Sequence, residues 1–196
     1  MGKNSHNILA INPGSRYFGV AVFHNSDLRE WTTKVLSTKP LRQKIQPKAD
    51  APLAQKHGGF SVAEKKKEIK SIISEYLDVH SITIVALKQL HPSRTSSALS
   101  SLVSIITTLA QVRKRKIVEY SIDEIKQKLI SSGRLNKKCL MDEVALRYPY
   151  LHRELERERK HKNPYLIRMF EAVALGTVCW NDVDSKGQKI RLHTQQ

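Results

Sequence analysis

The stretch from Ile8 to Phe23, ILAINPGSRYFGVAVF, constrains the fold more than any other. Two runs of apolar, β-branched and aromatic residues, 8–12 and 17–23, flank Pro13-Gly14. Such runs either side of a Pro-Gly turn predict an antiparallel hairpin. REWTTKVL, 29–36, predicts a third strand directly after it. The pattern then changes to alternation. A helix is predicted over 61–79, where Ser61 and Glu64 form a capping box and Val62, Ile69, Ile72, Ile73, Tyr76 and Leu77 make one apolar stripe. Its KKKEIK run faces water. ITIVAL, 82–87, is apolar throughout, as in a strand covered on both faces. From 94 to 113, Leu99, Leu102, Val103, Ile106, Leu109 and Ala110 recur at helical spacing. KIVEYS, 116–121, predicts a fifth strand.

Two shorter helices follow, near 122–131 and 136–148. RELERERKHKN, 153–163, is charged all round and is expected as a solvated helix end or a connector. Asn163 and Pro164 open a last helix, one as its cap and the other in its first position. Its buried face holds Leu166, Met169, Phe170, Val173, Ala174 and Thr177. Three antiparallel strands followed by two crossover units predict an α/β domain. Its five-stranded mixed sheet combines three antiparallel strands with parallel ones and has helices on both faces, the ribonuclease-H-like arrangement. The domain is expected over 1–181, with 37–60 as a long basic loop insertion and 182–196 as a loosely held polar tail. The insertion is either a DNA-contacting arm or a segment without fixed structure.

Charge points to the partner. Lys and Arg number 34 against 18 Asp and Glu, a formal charge of +16. Nucleic acid is the natural polyanion for such a chain, against the blander reading of a merely basic protein. A membrane surface is not expected, because no basic amphipathic helix stands isolated at a terminus. The uncharged run 95–112 is too rich in Ser and Thr for a membrane span and reads as a buried helix. Cys139 and Cys179 form no CxxC pattern, and MGKNSHNIL lacks an apolar signal segment. An intracellular, reducing compartment is expected, cytoplasm or nucleoid.

Four stretches together carry a resemblance. ILAINPGSRYFGVAVF resembles the opening strand pair of RuvC-type Holliday junction resolvases, whose pattern there is I-D-P-G-S-R-x-x-G. ITIVALKQLHPSRTSSAL is similar to their fourth strand with its loop and helix. RKIVEYSIDEIKQKLISSGRLNKKCLMDEV is similar to the fifth strand and its Lys-rich turn, and NPYLIRMFEAVALG to the closing catalytic helix. The resemblance implies four metal-holding carboxylates. The positions that match them here carry Asn12, Lys88, Arg168 and Glu171, so one acid survives. Two-metal hydrolysis needs hard anionic oxygens around cations roughly 3.5–4 Å apart. Asn12 offers only a neutral carbonyl, and Lys88 and Arg168 bring positive charge where a cation should sit.

Two placements of Lys88 stay open. It pairs with Glu171 across the vacated site, or it points outward to phosphate or solvent. Arg168 and Glu171, three apart on one helix, can also pair directly. As replacement acids, Asp27, Glu30, Asp123, Glu124, Asp142 and Glu143 have no evident route into the site.

The resemblance further implies DNA contacts from Arg16, Arg94, Arg134, Lys137 and Lys138. Lys137 and Lys138 open a helix, where free backbone N–H groups also attract phosphate. The run Arg113, Lys114, Arg115 and Lys116 either contacts DNA or is a solvated helix C-terminus. A homodimer through the 94–113 helix is implied as well. The expectation is a pseudonuclease that binds branched, junction-like DNA without a cofactor, alone or beside a recombination or nuclease partner protein. The alternatives are a Mg²⁺-dependent resolving endonuclease with a rearranged site, and an RNA-binding or ribosome-associated protein. No aromatic platform for single strands stands out in the sequence.

Overall fold

A computed structural model describes residues 5–36, 62–91, 93, 95–131, 133–162 and 164–193. The 37–60 insertion, Ser61, Arg94 and the Asn163 cap lie outside the described residues. Strands β1 (Asn7–Asn12), β2 (Tyr17–His24) and β3 (Asp27–Val35) follow one another. Helix α1 (Val62–Val79) leads to β4 (Ile84–Lys88), and α2 (Ser97–Val112) leads to β5 (Lys116–Tyr120). Four helices complete the described chain: α3 (Ile122–Leu129), α4 (Lys137–Arg147), α5 (His152–His161) and α6 (Pro164–His193). The sheet order is β3-β2-β1-β4-β5. β1 pairs antiparallel with β2 and parallel with β4, and β5 is parallel to β4. This is the predicted ribonuclease-H-like sheet.

Successive residues of a strand face opposite sides. In β1, Leu9 and Ile11 face α1 and α2 and pack with Ile69, Ile73, Leu77, Leu102 and Ile106. Ile8 and Ala10 face the other way, against Phe170, Val173 and Ala174 of α6. Burying each large aliphatic side chain stabilises by about 1.5–3 kcal/mol, so both layers hold the sheet. Three of the strand residues under α6 are small, Ala10, Ala21 and Ala86. α6 comes closest at Gly19, where an added Cβ would collide with the Arg168 carbonyl.

Two expectations change. The charged segment after 152 is not a loose connector, because α5 buries Leu155 and Glu158 against the domain. Spaced four residues apart, Leu151 and Leu155 are both buried, which the surrounding charges conceal in the sequence. The segment after 181 begins not as a loose tail but as a continuation of α6. Its Asp182 accepts hydrogen bonds from Tyr120 and Lys128. No helix among the described residues is long and apolar enough to cross a membrane.

Candidate functional site

Strand periodicity brings the site together. Asn12 continues the Ile8/Ala10 face of β1, and Lys88 continues the Ile84/Ala86 face of β4. Ile11 pairs with Leu87 in the parallel register, so Asn12 and Lys88 end neighbouring strands. Both therefore reach toward α6, where Glu171 is buried.

Glu171 Oε2 accepts a hydrogen bond from Lys88 Nζ at 2.6 Å and from Asn12 Nδ2 at 2.8 Å. The Glu171 side chain is 3 % exposed and that of Lys88 19 %. Oε1 is buried without a hydrogen bond, though Lys137 Nζ lies 3.4 Å away. Burial alone would favour the neutral acid. The charge of Lys88, its hydrogen bond, and the charges of Lys137 and Arg168 outweigh that effect and hold the carboxyl below the usual carboxylate range.

Arg168 does not make the direct contact with Glu171 that their spacing allowed. Its guanidinium turns toward the β1–β2 turn and donates to the Pro13 carbonyl at 2.8 Å and to Asn12 Oδ1 at 3.5 Å. It lies over the Tyr17 ring, 5.3 Å from the centroid. Gly14 permits this, since a Cβ there would stand 2.8 Å from the guanidinium carbon. The amide of Asn12 is thus fixed at both ends. Its N–H₂ serves Glu171 and its oxygen serves Arg168, so that oxygen is turned away from the carboxylate.

This donor set does not fit a pair of divalent metals. One carboxylate faces three cations, and the second-best oxygen is committed elsewhere. No group of three His, Cys, Asp or Glu side chains suited to a metal exists among the described residues. Five of the six other candidate acids are paired away from the site. Asp142 pairs with Arg159, Asp123 with Lys126, Glu124 with Lys128 and Asp27 with Arg29. Glu30 accepts from Tyr76 and faces His80 at 3.4 Å.

The cations assigned from sequence separate into two groups. Lys137 and Lys138 open α4 with exposed side chains, after an Asn136 cap that accepts from Cys139 N–H. Arg16 and Arg134 are exposed on the turns before β2 and before α4. The run from Arg113 to Lys116 lies at the other end of the sheet, because Lys116 pairs with Ile84 while Lys88 pairs with Tyr120. Arg113 there holds Asp78 through two hydrogen bonds. The contact of Lys137 with Glu171 had no signal in the sequence, since only tertiary packing sets α4 beside α6.

No protein-family model and no curated protein matches the chain. Solved structures do. The chain has the fold of the RuvC-type junction resolvases, within the ribonuclease-H-like class. Thermus thermophilus RuvC matches with a TM-score of 0.55 at 14% identity, over 88% of this chain and 93% of that one. The same protein in complex with a Holliday junction substrate gives 0.57 at 13% identity, over 88% and 93%. The yeast mitochondrial Holliday junction resolvase Ydc2 gives 0.57 at 12% identity, over 89% of this chain and 78% of that one.

Proposed function

We propose that this protein binds branched duplex DNA and does not cut it. The observation that carries the reading is the buried Lys88–Glu171 ion pair, 2.6 Å long, at the place where the fold would bring metal to phosphate. A lysine there cannot generate a metal-bound hydroxide or bridge a leaving oxygen. It does keep positive charge at the cleft. Lys137 stands at its rim, 3.4 Å from Glu171, and each phosphate neutralised by such a side chain adds affinity that salt removes.

A chain of charge +16 needs no metal to attract the phosphate backbone. The same proposal includes a homodimer through α2, which ends in Val112 at 74 % exposure. Two copies related by a two-fold axis would suit a substrate with the same symmetry.

The test is binding and cleavage measured together, on a labelled four-way junction and a linear duplex of equal length. We expect tighter binding to the junction, equal in EDTA, Mg²⁺ and Mn²⁺, with no nicked product. Metal-dependent nicking that Glu171→Gln abolishes would overturn the reading as a pseudonuclease. Equal affinity for junction and duplex would overturn the preference for branched DNA.

A further inference from the structure

A pocket lies at the same end of the sheet as the Lys88–Glu171 site but on the opposite face, where α1 and α2 pack. It lies between the β1–β2 turn, the first turns of α1 and the start of α2. Its rim carries three cations from two separate elements, Arg16 on the turn and Lys65 and Lys66 on α1. Leu36, Ile69 and Leu102 form an aliphatic floor. No acid and no aromatic ring lines it among the described residues. The lysines belong to the KKKEIK run that the sequence presents as a plain solvated face.

Three features define what fits. The rim takes a phosphate, because three cations stand there with no lining carboxylate to compete. The floor takes an apolar, compact group. The cavity is about 240 Å³, below the roughly 300–1,000 Å³ of sites that enclose a drug-sized ligand. It therefore holds one part of a larger ligand whose remainder stays outside. Position supplies the rest. The turn that bears Arg16 also bears Pro13, whose carbonyl receives Arg168 of the Lys88–Glu171 site. The β1–β2 turn therefore borders both sites, one on each face of the sheet.

We propose that the pocket takes a single unpaired nucleotide of the bound DNA. Its phosphate sits among Arg16, Lys65 and Lys66, and its base packs on Leu36, Ile69 and Leu102. This inference rests on the DNA-binding reading above. Extracting a paired base costs a few kcal/mol, so the nucleotide is one already unpaired at a branch point. Without an aromatic platform the base is held by burial on aliphatic side chains.

The experiment uses the full chain and two labelled four-way junctions, one fully paired and one with a single unpaired thymidine at the branch. The wild-type protein is expected to prefer the second about tenfold. Ala98→Trp fills the mouth from an exposed position on α2. The double change Lys65→Gln/Lys66→Gln removes rim charge without filling anything. Each is expected to cut the preference below about twofold, with the thermal midpoint checked to show that the fold persists. A 2-aminopurine at the unpaired position should be shielded from acrylamide in the wild-type complex and unshielded with Ala98→Trp.

A wild-type protein without the preference would overturn the proposal. So would a preference that survives both variants. If neither junction binds better than linear duplex, the branched-DNA reading falls first and takes this inference with it.

Discussion

Helix α6 carries two acid–lysine pairs of the same length in different surroundings. Glu171 meets Lys88 at 2.6 Å with side chains 3 % and 19 % exposed. Asp182 meets Lys128, also at 2.6 Å, with side chains 29 % and 39 % exposed. The outer pair even has more company, because Tyr120 donates to Asp182 and Lys128 also reaches Glu124 at 3.0 Å. Distance therefore does not distinguish them, but water does. A charge pair at the surface is screened and contributes about 0–1 kcal/mol. A buried pair is different. Its net worth against an apolar replacement is small, yet losing one partner strands the other charge out of water. The inner pair is thus a fixed commitment of the site, and the outer pair is a clip.

The largest expected effect is the removal of the inner lysine. Lys88→Met should destabilise by about 3 kcal/mol, at the low end for a broken buried pair because Lys137 still faces Glu171. For a chain of this size that is roughly 6–12 °C in Tm. Lys88→Met/Glu171→Gln should recover at least about 1 kcal/mol of the loss, since neither charge is then stranded. A thermal or urea double-mutant cycle measures this. Additive losses would mean that the two side chains act independently.

The pH dependence of the same pair sharpens the comparison. In the wild-type protein the Glu171 carboxyl lies below its ordinary value. Its contribution is then fully present above the unfolded pKa of about 4.3 and is lost as pH falls through the lower folded value. In Lys88→Met burial meets less opposition, and the folded value moves upward. If it passes the unfolded value the sign reverses, and stability is lost as pH rises through it. Acid unfolding curves of the two proteins should therefore converge toward low pH and separate near neutrality. Parallel curves would show that Lys88 does not set the ionisation of Glu171.

Smaller effects follow. Gly19→Ala places a Cβ against the Arg168 carbonyl and should cost about 1–3 kcal/mol, as overpacking does. Lys128→Ala should cost no more than about 1 kcal/mol, and added salt should erase most of that. If Lys128→Ala matched Lys88→Met, burial would not be what separates the two pairs. Least of all for stability is Lys137→Ala. Its side chain is 61 % exposed, so stability should stay within about 0.5 kcal/mol. The salt dependence of DNA binding should nevertheless weaken by about one unit of slope.

Much of the fold was readable because its signals are local. The Pro13-Gly14 turn, the apolar run of β1 and the stripe of α6 each lie within a few residues. Period-two alternation, continued one step past Ala10 and Ala86, sets Asn12 and Lys88 on the α6 face, and the resemblance matched Glu171 to them. The partners of Arg168 and the approach of Lys137 were not readable. One depends on Gly14 leaving space over the turn, and the other on how α4 packs beside α6. In α5 the buried Leu155 was hidden among charges, because a single apolar contact every fourth residue suffices once a helix end packs on a domain. The basic run at 113–116 shows the converse. It is conspicuous in the sequence, yet parallel pairing of β4 with β5 carries it to the end of the sheet away from Lys88.

The central claim is that the ammonium of Lys88 stands in the cation's place beside Glu171. Titration of the full chain with Mn²⁺, followed by electron paramagnetic resonance, tests it most directly. No saturable site is expected up to millimolar Mn²⁺ in the wild-type protein. One or two Mn²⁺ ions bound per chain, and lost in Glu171→Gln, would contradict it.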